Sequence, residues 1–411
     1  MKGINSKLIH GDIENTNAQQ NFRSLKTPIY ETASYDFETA EDVENAFRGK
    51  IAQFAYSRTA NPTVAELQNR LKYWTEAQAV LCTSSGMAAI ANTMFTLCKK
   101  GDNILASKYL FGNTYSFFKE TFSEFGVETR FIDFENLDEV KQNIDENTRC
   151  VFLEMVTNPQ LIIFDMTAIG AICKEKNIVF VLDNTALTPY LFSTQPHGVD
   201  IEIISTSKFI SGGATSIGGA IVMYPSTKYR AVPKLQKDIE KYSDEGFYKR
   251  LFREVFRNMG SCLAPNNAYL QLLGLETLSL RIDKVCENAT AVAAFLQSLP
   301  QVKNVEYNNL PTSPYYAKAQ DFCNGKVGAL INLQLENQAK CYDFMNRLKM
   351  IRRGTNFCDN KSMIIHPAST IFCDNSPEEC LDLKIYDDAL RLSIGIEDLE
   401  DLKADILQAI Q

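Results

Sequence analysis

IVFVLDNT, residues 178–185, is a continuous apolar run that closes on Asp183, and STSKFISGGATSIGGA, residues 205–220, sets Lys208 just after a second apolar run and just before glycines and small residues. Unbroken apolar runs of this length read as strands buried on both faces of a parallel sheet. Each run would then deliver one ionisable side chain to a strand end. A lysine carried by a buried strand into a glycine-lined turn is partly desolvated. Burial disfavours its ammonium form and moves the pKa down from about 10.4, so that the free amine can attack a carbonyl. That pair is what pyridoxal phosphate requires: an amine that forms an imine, and an anion that keeps the pyridine nitrogen protonated so that the ring accepts electrons. Each residue alone also has an ordinary reading, Asp183 as a helix cap and Lys208 as a solvated loop lysine.

Outward from these runs, helix and strand signals alternate from about residue 61. A helix through VAELQNRLKYW is followed by the strand AVLCT, a helix from Met87 to Cys98, and the strand NILAS. Then come a helix through NTYSFFKETFSEF, the strands ETRFID and CVFLEMV, a helix through MTAIGAICKEK, and the strands IVFVLD and IEIISTS. This alternation predicts a doubly covered parallel sheet. Residues 1–60 read as an extended arm with turns and no core of its own. KLQKDIEKYSDEGFYKRLFREVF reads as a helix with a solvated charged face, and Ala264 to about Leu299 as one or two long helices. GALINLQL, CYDFMNRLK, SMIIHP, ALRLSIG and EDLKADILQAI predict a smaller α+β unit. The expected division is therefore an arm at 1–60, a large domain at 61–257 and a small domain at 258–411.

The 411 residues, 45% apolar, suffice for two sizeable cores. A net charge of −8 argues against a general nucleic-acid or anionic-membrane binder, which needs a basic face. Eleven dispersed cysteines without a C-x-x-C pair predict reduced, mostly buried thiols in a reducing compartment. Three histidines give a metal cluster little to build on, so no metal is expected. With neither a signal-peptide core nor an apolar stretch of membrane-spanning length, the expectation is a soluble cytoplasmic protein. Trp74 is expected in the core, and His366 to be a hydrogen-bonded structural residue.

Thr83-Ser84-Ser85-Gly86-Met87 joins a strand to a helix, where backbone N–H groups and the helix dipole can hold a phosphate; capping explains the same composition. Neither a P-loop nor G-x-G-x-x-G is present. In YSRTANPT at 56–63, Tyr56 and Arg58 share one side of an extended chain, which suits gripping one phosphate; a surface turn at Asn61-Pro62 is the alternative. Arg391 in ALRLSIG is an arginine within an apolar strand, and such a cation needs a bound anion or an acidic partner.

Taken in order, YSRTANPT, SSGMAAI, the F-G-N-T region, VTNP, VLDNT, STSK, LGLETLSLR, IHPAST and RLSIGIED resemble the Cys/Met-metabolism family of fold type I pyridoxal phosphate enzymes over nearly the whole chain. That family includes cystathionine synthases and lyases, methionine γ-lyase and O-acetylhomoserine sulfhydrylase. The resemblance implies a mostly parallel seven-stranded sheet with a smaller C-terminal domain, and a homotetramer built from two dimers. By the same resemblance Lys208 is the imine lysine and Asp183 the pyridinium partner. Ser85, Gly86, Met87, Ser205 and Ser207 hold the phosphate, joined by Tyr56 and Arg58 of the neighbouring subunit. Asn158 and Arg391 orient the substrate carboxylate, with the main chain near Ser362 assisting.

Two positions depart from the family pattern. Phe111 stands where a tyrosine usually stacks on the cofactor, and Asn113 where methionine γ-lyases carry a reactive cysteine. Phenylalanine keeps the stacking and loses the proton donor, which matters least when the leaving group is a stable anion. A carboxylate has a conjugate-acid pKa of roughly 4, against about 8.5 for a thiolate. Tyr56 of the partner could supply the missing acid–base group. GGATSIGG also resembles the G-x-x-TSIGG of O-acetylhomoserine sulfhydrylases. The expected reaction is O-acetyl-L-homoserine plus sulfide, or a small thiol, giving L-homocysteine or its thioether plus acetate. Cystathionine γ-synthase, methionine γ-lyase and a catalytically silent regulatory homologue are the alternatives.

Overall fold

The computed structural model describes residues 3–12 and 23–411. Seven strands, β1 (Ala79–Thr83), β2 (Asn103–Ser107), β3 (Glu128–Ile132), β4 (Thr148–Glu154), β5 (Val179–Asp183), β6 (Ile201–Ile204) and β7 (Gly219–Met223), form one sheet in the order β1-β7-β6-β5-β4-β2-β3. Strands β2 to β6 pair in parallel, whereas β7 runs antiparallel to both β1 and β6. Strand β7 was not separated from the glycine-rich segment in the sequence reading. Its start is tight: a Cβ on Gly219 would stand 2.2 Å from the Ser85 carbonyl oxygen, so glycine lets the Ser85 turn lie against it.

The apolar runs are buried on both faces, as their lack of alternation predicted. Cys150, Phe152, Val179 and Val181 pack into one core cluster, and Val151, Leu153, Phe180 and Leu182 into the other. Successive side chains of a strand point to opposite faces. Asp183 and Glu154 therefore point to the side that holds Val181 and Phe152. The second cluster continues into a five-stranded sheet of β8 (Asn304–Glu306), β9 (Leu330–Gln334), β10 (Arg352–Arg353), β11 (Met363–Ile365) and β12 (Ala389–Ser393), in the order β10-β11-β12-β9-β8. On β12, Leu390 and Leu392 enter this core, which turns Arg391 to the opposite face.

Two expectations need correction. The arm contains the helices Ile4–His10 and Ala40–Phe47, and Leu8 of the first is 1% exposed within the main core. That helix shows too few residues for a periodic signal; residues 13–22 of the arm lie outside the described ones. The charged stretch after Tyr224 is helical but broken at Ser243–Glu245, and Phe247, Leu251, Val255 and Phe256 bury one side of it. The segment from Ala264 is two helices, Pro265–Glu276 and Leu278–Gln297. All eleven cysteines are free thiols, eight of them buried, and Trp74 lies in the core.

Candidate active site

The carboxyl ends of β1, β2, β4, β5 and β6 open on one edge of the sheet, where open α/β sheets bind ligands. A cavity of about 600 Å³ lies there, lined by Ser85, Gly86, Met87, Phe111, Glu154, Asn158, Asp183, Ser205, Ser207, Lys208 and Asn356–Phe357, among others. Residues distant in sequence meet because each ends, or directly follows, a neighbouring strand.

Lys208 follows β6 through the turn Ser205–Lys208. Its ammonium donates to Asn356 Oδ1 at 2.5 Å and lies 4.4 Å from the centre of the Phe357 ring. No carboxylate pairs with it among the described residues. Burial pulls its pKa down to about 8, with the Arg391 charge acting in the same direction. Asp183 accepts from the Thr185 N–H at 2.9 Å, and the Thr185 hydroxyl accepts from the Ser205 N–H at 2.8 Å, which ties the β5 and β6 ends together. Burial raises the Asp183 pKa, so a carboxylate here calls for a cationic partner.

The helix Gly86–Leu97 begins at the cavity, capped by the Ser85 hydroxyl, which accepts from the Ala88 N–H. First-turn N–H groups have no carbonyl of their own helix to bond, so they can serve an anion. A Cβ on Gly86 would stand 2.8 Å from Ser205 Cβ; only glycine leaves this cradle its width. Ser207 is committed elsewhere, its hydroxyl donating to the Gly218 carbonyl and accepting from the Gly218 N–H.

Arg391 is 1% exposed, yet no carboxylate pairs with it among the described residues. It donates to Asn158 Oδ1 at 3.0 Å and to the Thr355 and Asn356 carbonyls, and its guanidinium faces the Phe357 ring at 5.4 Å. Its Nε and the Asn158 Nδ2 lack hydrogen-bond partners. A buried cation next to unsatisfied donors is an anion site. Burial lowers the Arg391 pKa to about 10.

The structure brings Lys208, Asp183, Ser85, Gly86, Met87, Ser205, Ser207, Phe111 and Asn158 to one cavity, with Arg391 against it. Ser362 is not among them: its N–H and hydroxyl both donate to Glu397 and its hydroxyl accepts from Gly395, in full burial. The nearby residues of the small domain that line the cavity are instead Thr355–Phe357. Tyr56 and Arg58 do not reach the cavity within one chain. They line a separate hollow of about 1240 Å³ together with Arg48, Lys50, Lys241, Lys249, Arg253 and Arg257, and no carboxylate among the described residues lines it. Asn113 is exposed outside the cavity, and His366 is structural, its ring held by Ser369 and the Asp387 carbonyl. Glu154, Asn356 and Phe357 were missed in the sequence reading. Glu154 ends β4 in the structure, but in the sequence the apolar run continues through Met155 and Val156, so the strand-end signal that singled out Asp183 is absent there.

The donors fit pyridoxal phosphate: an anion cradle at Gly86, a depressed lysine, a buried carboxylate awaiting a cation, and unsatisfied donors beside Arg391. The family described as Cys/Met metabolism PLP-dependent enzymes matches residues 5–411. The O-acetyl-L-homoserine sulfhydrylase 1 of Thermus thermophilus is 35% identical over 94% of this chain and 95% of its own. The L-methionine gamma-lyase of Fusobacterium nucleatum subsp. nucleatum is 33% identical over 100% and 98%. A solved structure of a candidate O-acetylhomoserine (thiol)-lyase from Campylobacter jejuni, carrying N′-pyridoxyl-lysine-5′-monophosphate, superposes with a TM-score of 0.93 at 33% identity, over 99% of both chains. The fold is that of the fold type I pyridoxal phosphate enzymes.

Proposed function

Because the chain belongs to the Cys/Met metabolism enzymes that depend on pyridoxal phosphate, we propose that it catalyses γ-replacement on O-acetyl-L-homoserine, with sulfide or a small thiol, to give L-homocysteine or its thioether and acetate. This is a reaction of methionine biosynthesis. When bound, pyridoxal phosphate supplies an electron sink that makes the protons at Cα and Cβ removable. Lys208 carries the cofactor and, once its amine is free, moves the protons at Cα and Cβ; a pKa drawn down to about 8 suits that task. Asp183 holds the ring nitrogen protonated. Gly86, Met87 and Ser205 hold the phosphate, with Ser85 and Ser207 shaping the cradle. Arg391 and Asn158 grip the substrate carboxylate.

The choice of substrate rests on one observation: Phe111 lines the cavity, and no tyrosine of the same chain does among the described residues. A thioether needs a proton on its departing sulfur, whereas acetate leaves as a stable anion. Relatives named methionine gamma-lyases are about as similar as the sulfhydrylases, so similarity alone does not choose between the two activities. Equal release of homocysteine and acetate from O-acetylhomoserine and sulfide tests the assignment. No product from that pair, with turnover of O-succinylhomoserine, cystathionine or methionine, would overturn it.

The proposal extends to the assembly. Among the described residues Lys208 is the only lysine or arginine lining the cavity, which leaves the cofactor phosphate short of positive charge. Tyr56 and Arg58, on the arm at 1–60, face a cation-rich hollow elsewhere. We take them as the partner subunit's share of a site built on the large domain at 61–257 and closed by the small domain at 258–411, in a cytoplasmic homotetramer. No helix among the described residues is long and apolar enough to cross a membrane. Mixing inactive Arg58→Ala chains with inactive Lys208→Ala chains should restore part of the activity through hybrid dimers. A fully active monomer in sedimentation would refute the sharing.

A further inference from the structure

Glu154 closes β4 directly beside Asp183 on β5, the two being Cα partners in the parallel ladder. Its side chain lines the cavity and is nonetheless buried, the residue being 6% exposed. No lysine, arginine or histidine forms an ion pair with it among the described residues. Its carboxyl accepts from the backbone N–H of Phe111 at 2.7 Å, and the backbone N–H of Asn158, four residues further along the chain, also favours its charged form. That bond ties the turn after β2, which holds Phe111, to the end of β4, from which the chain runs directly into the turn that holds Asn158. The first carries the aromatic wall of the cavity, and the second carries the amide that receives Arg391 at 3.0 Å.

We propose that Glu154 is a positioning residue: a single carboxyl that fixes the spacing between the Phe111 wall and the Asn158–Arg391 carboxylate grip. The inference rests on the reading of this cavity as the cofactor and substrate site. Burial and the charge of Asp183 raise the Glu154 pKa well above the ordinary range and prevail over the Phe111 and Asn158 N–H groups, which favour its charged form. Two adjacent buried carboxylates do not both ionise readily. A neutral Glu154 leaves Asp183 as the single anion for the cofactor ring, and its acceptor oxygen still serves the backbone. Glutamine reproduces that neutral acceptor; alanine leaves the Phe111 N–H without its partner.

The test uses the holoenzymes of the wild type, Glu154→Gln, Glu154→Ala and Glu154→Asp, comparing KM for the amino-acid substrate, kcat, the visible circular dichroism of the bound cofactor, and Tm. Glu154→Gln is expected to keep KM and the visible band within about twofold of wild type. Glu154→Ala should raise KM about tenfold or more and weaken the band, because unsatisfied buried donors of this kind shift equilibria by roughly that factor. Should the alanine variant fail to fold, Glu154→Asp decides: it keeps the acid but not the reach, and is expected to raise KM in the same direction. A lower Tm with unchanged KM and band in the alanine or aspartate variant would overturn the proposal, as would a glutamine variant as impaired as alanine. If the wild-type holoenzyme turns over methionine in place of O-acetylhomoserine, the substrate assignment fails, and the same comparison with methionine still tests Glu154.

Discussion

Two buried arginines flank Lys208, and they differ in what their donors do. Arg281 donates from Nε to the Thr277 hydroxyl, from Nη1 to the Phe209 carbonyl and from Nη2 to the Gly274 carbonyl. Arg391 also bonds backbone carbonyls, but its Nε has no partner, and beside it the Asn158 amide nitrogen has none. Burial lowers both pKa values to about 10, and neither has a carboxylate partner among the described residues. Burial of a cation alone therefore does not mark a binding site. Arg281 is a fastener for the turn after Lys208; Arg391 is a receptor, because its geometry leaves donors for something else.

Substitution should separate the two roles. Arg391→Ala is expected to lower kcat/KM by about 10²-fold or more, since a charge-assisted grip on the substrate carboxylate is lost. Its cofactor-free form should lose less stability than that of Arg281→Ala, because the Arg391 Nε and the Asn158 amide nitrogen beside it are already unpaired. Arg281→Ala should do the reverse, costing about 3 kcal/mol of stability through three lost bonds while leaving KM within a few-fold. Steady-state kinetics paired with thermal melts check both, and the comparison breaks if the two variants behave alike.

The smallest expected effect concerns the lysine between them. Its folded pKa, about 8, lies below the unfolded value of about 10.4. Below pH 8 both states are protonated and the folded state bears the cost of a buried charge. As pH rises from about 8 to about 10.4, the unfolded state binds more protons than the folded state, and stability rises through that window. In cofactor-free protein, Lys208→Met should therefore raise Tm at pH 7, with a gain that shrinks between pH 8 and 10.4. A gain that is flat across that window contradicts a desolvated Lys208.

How much of this was legible in the sequence follows from where each signal resides. Fully buried strands announce themselves as unbroken apolar runs, so β4, β5 and β6, and with them Asp183 and Lys208, could be read directly. Strand β7 could not, because Gly219 and Ala220 join it to the glycine-rich turn. The helix at Ile4–His10 buries only Leu8, which leaves no periodicity to detect. Asn356 and Phe357 reach Lys208 from a loop of the second sheet, a contact made by tertiary structure alone. Ser362 was carried over by resemblance, and Glu397 has taken its donors. Glu154 stands inside the apolar run CVFLEMV rather than at its end, so the signal that marked Asp183 did not mark it.

The central claim is that this cavity, walled by Phe111, serves a leaving group that needs no proton. It is tested most directly by kcat/KM for O-acetylhomoserine with sulfide and for methionine elimination, measured side by side on the unmodified holoenzyme. A preference for the ester of at least about 10²-fold is predicted, the lower bound for one positioned acid; comparable values for the two substrates would contradict the account.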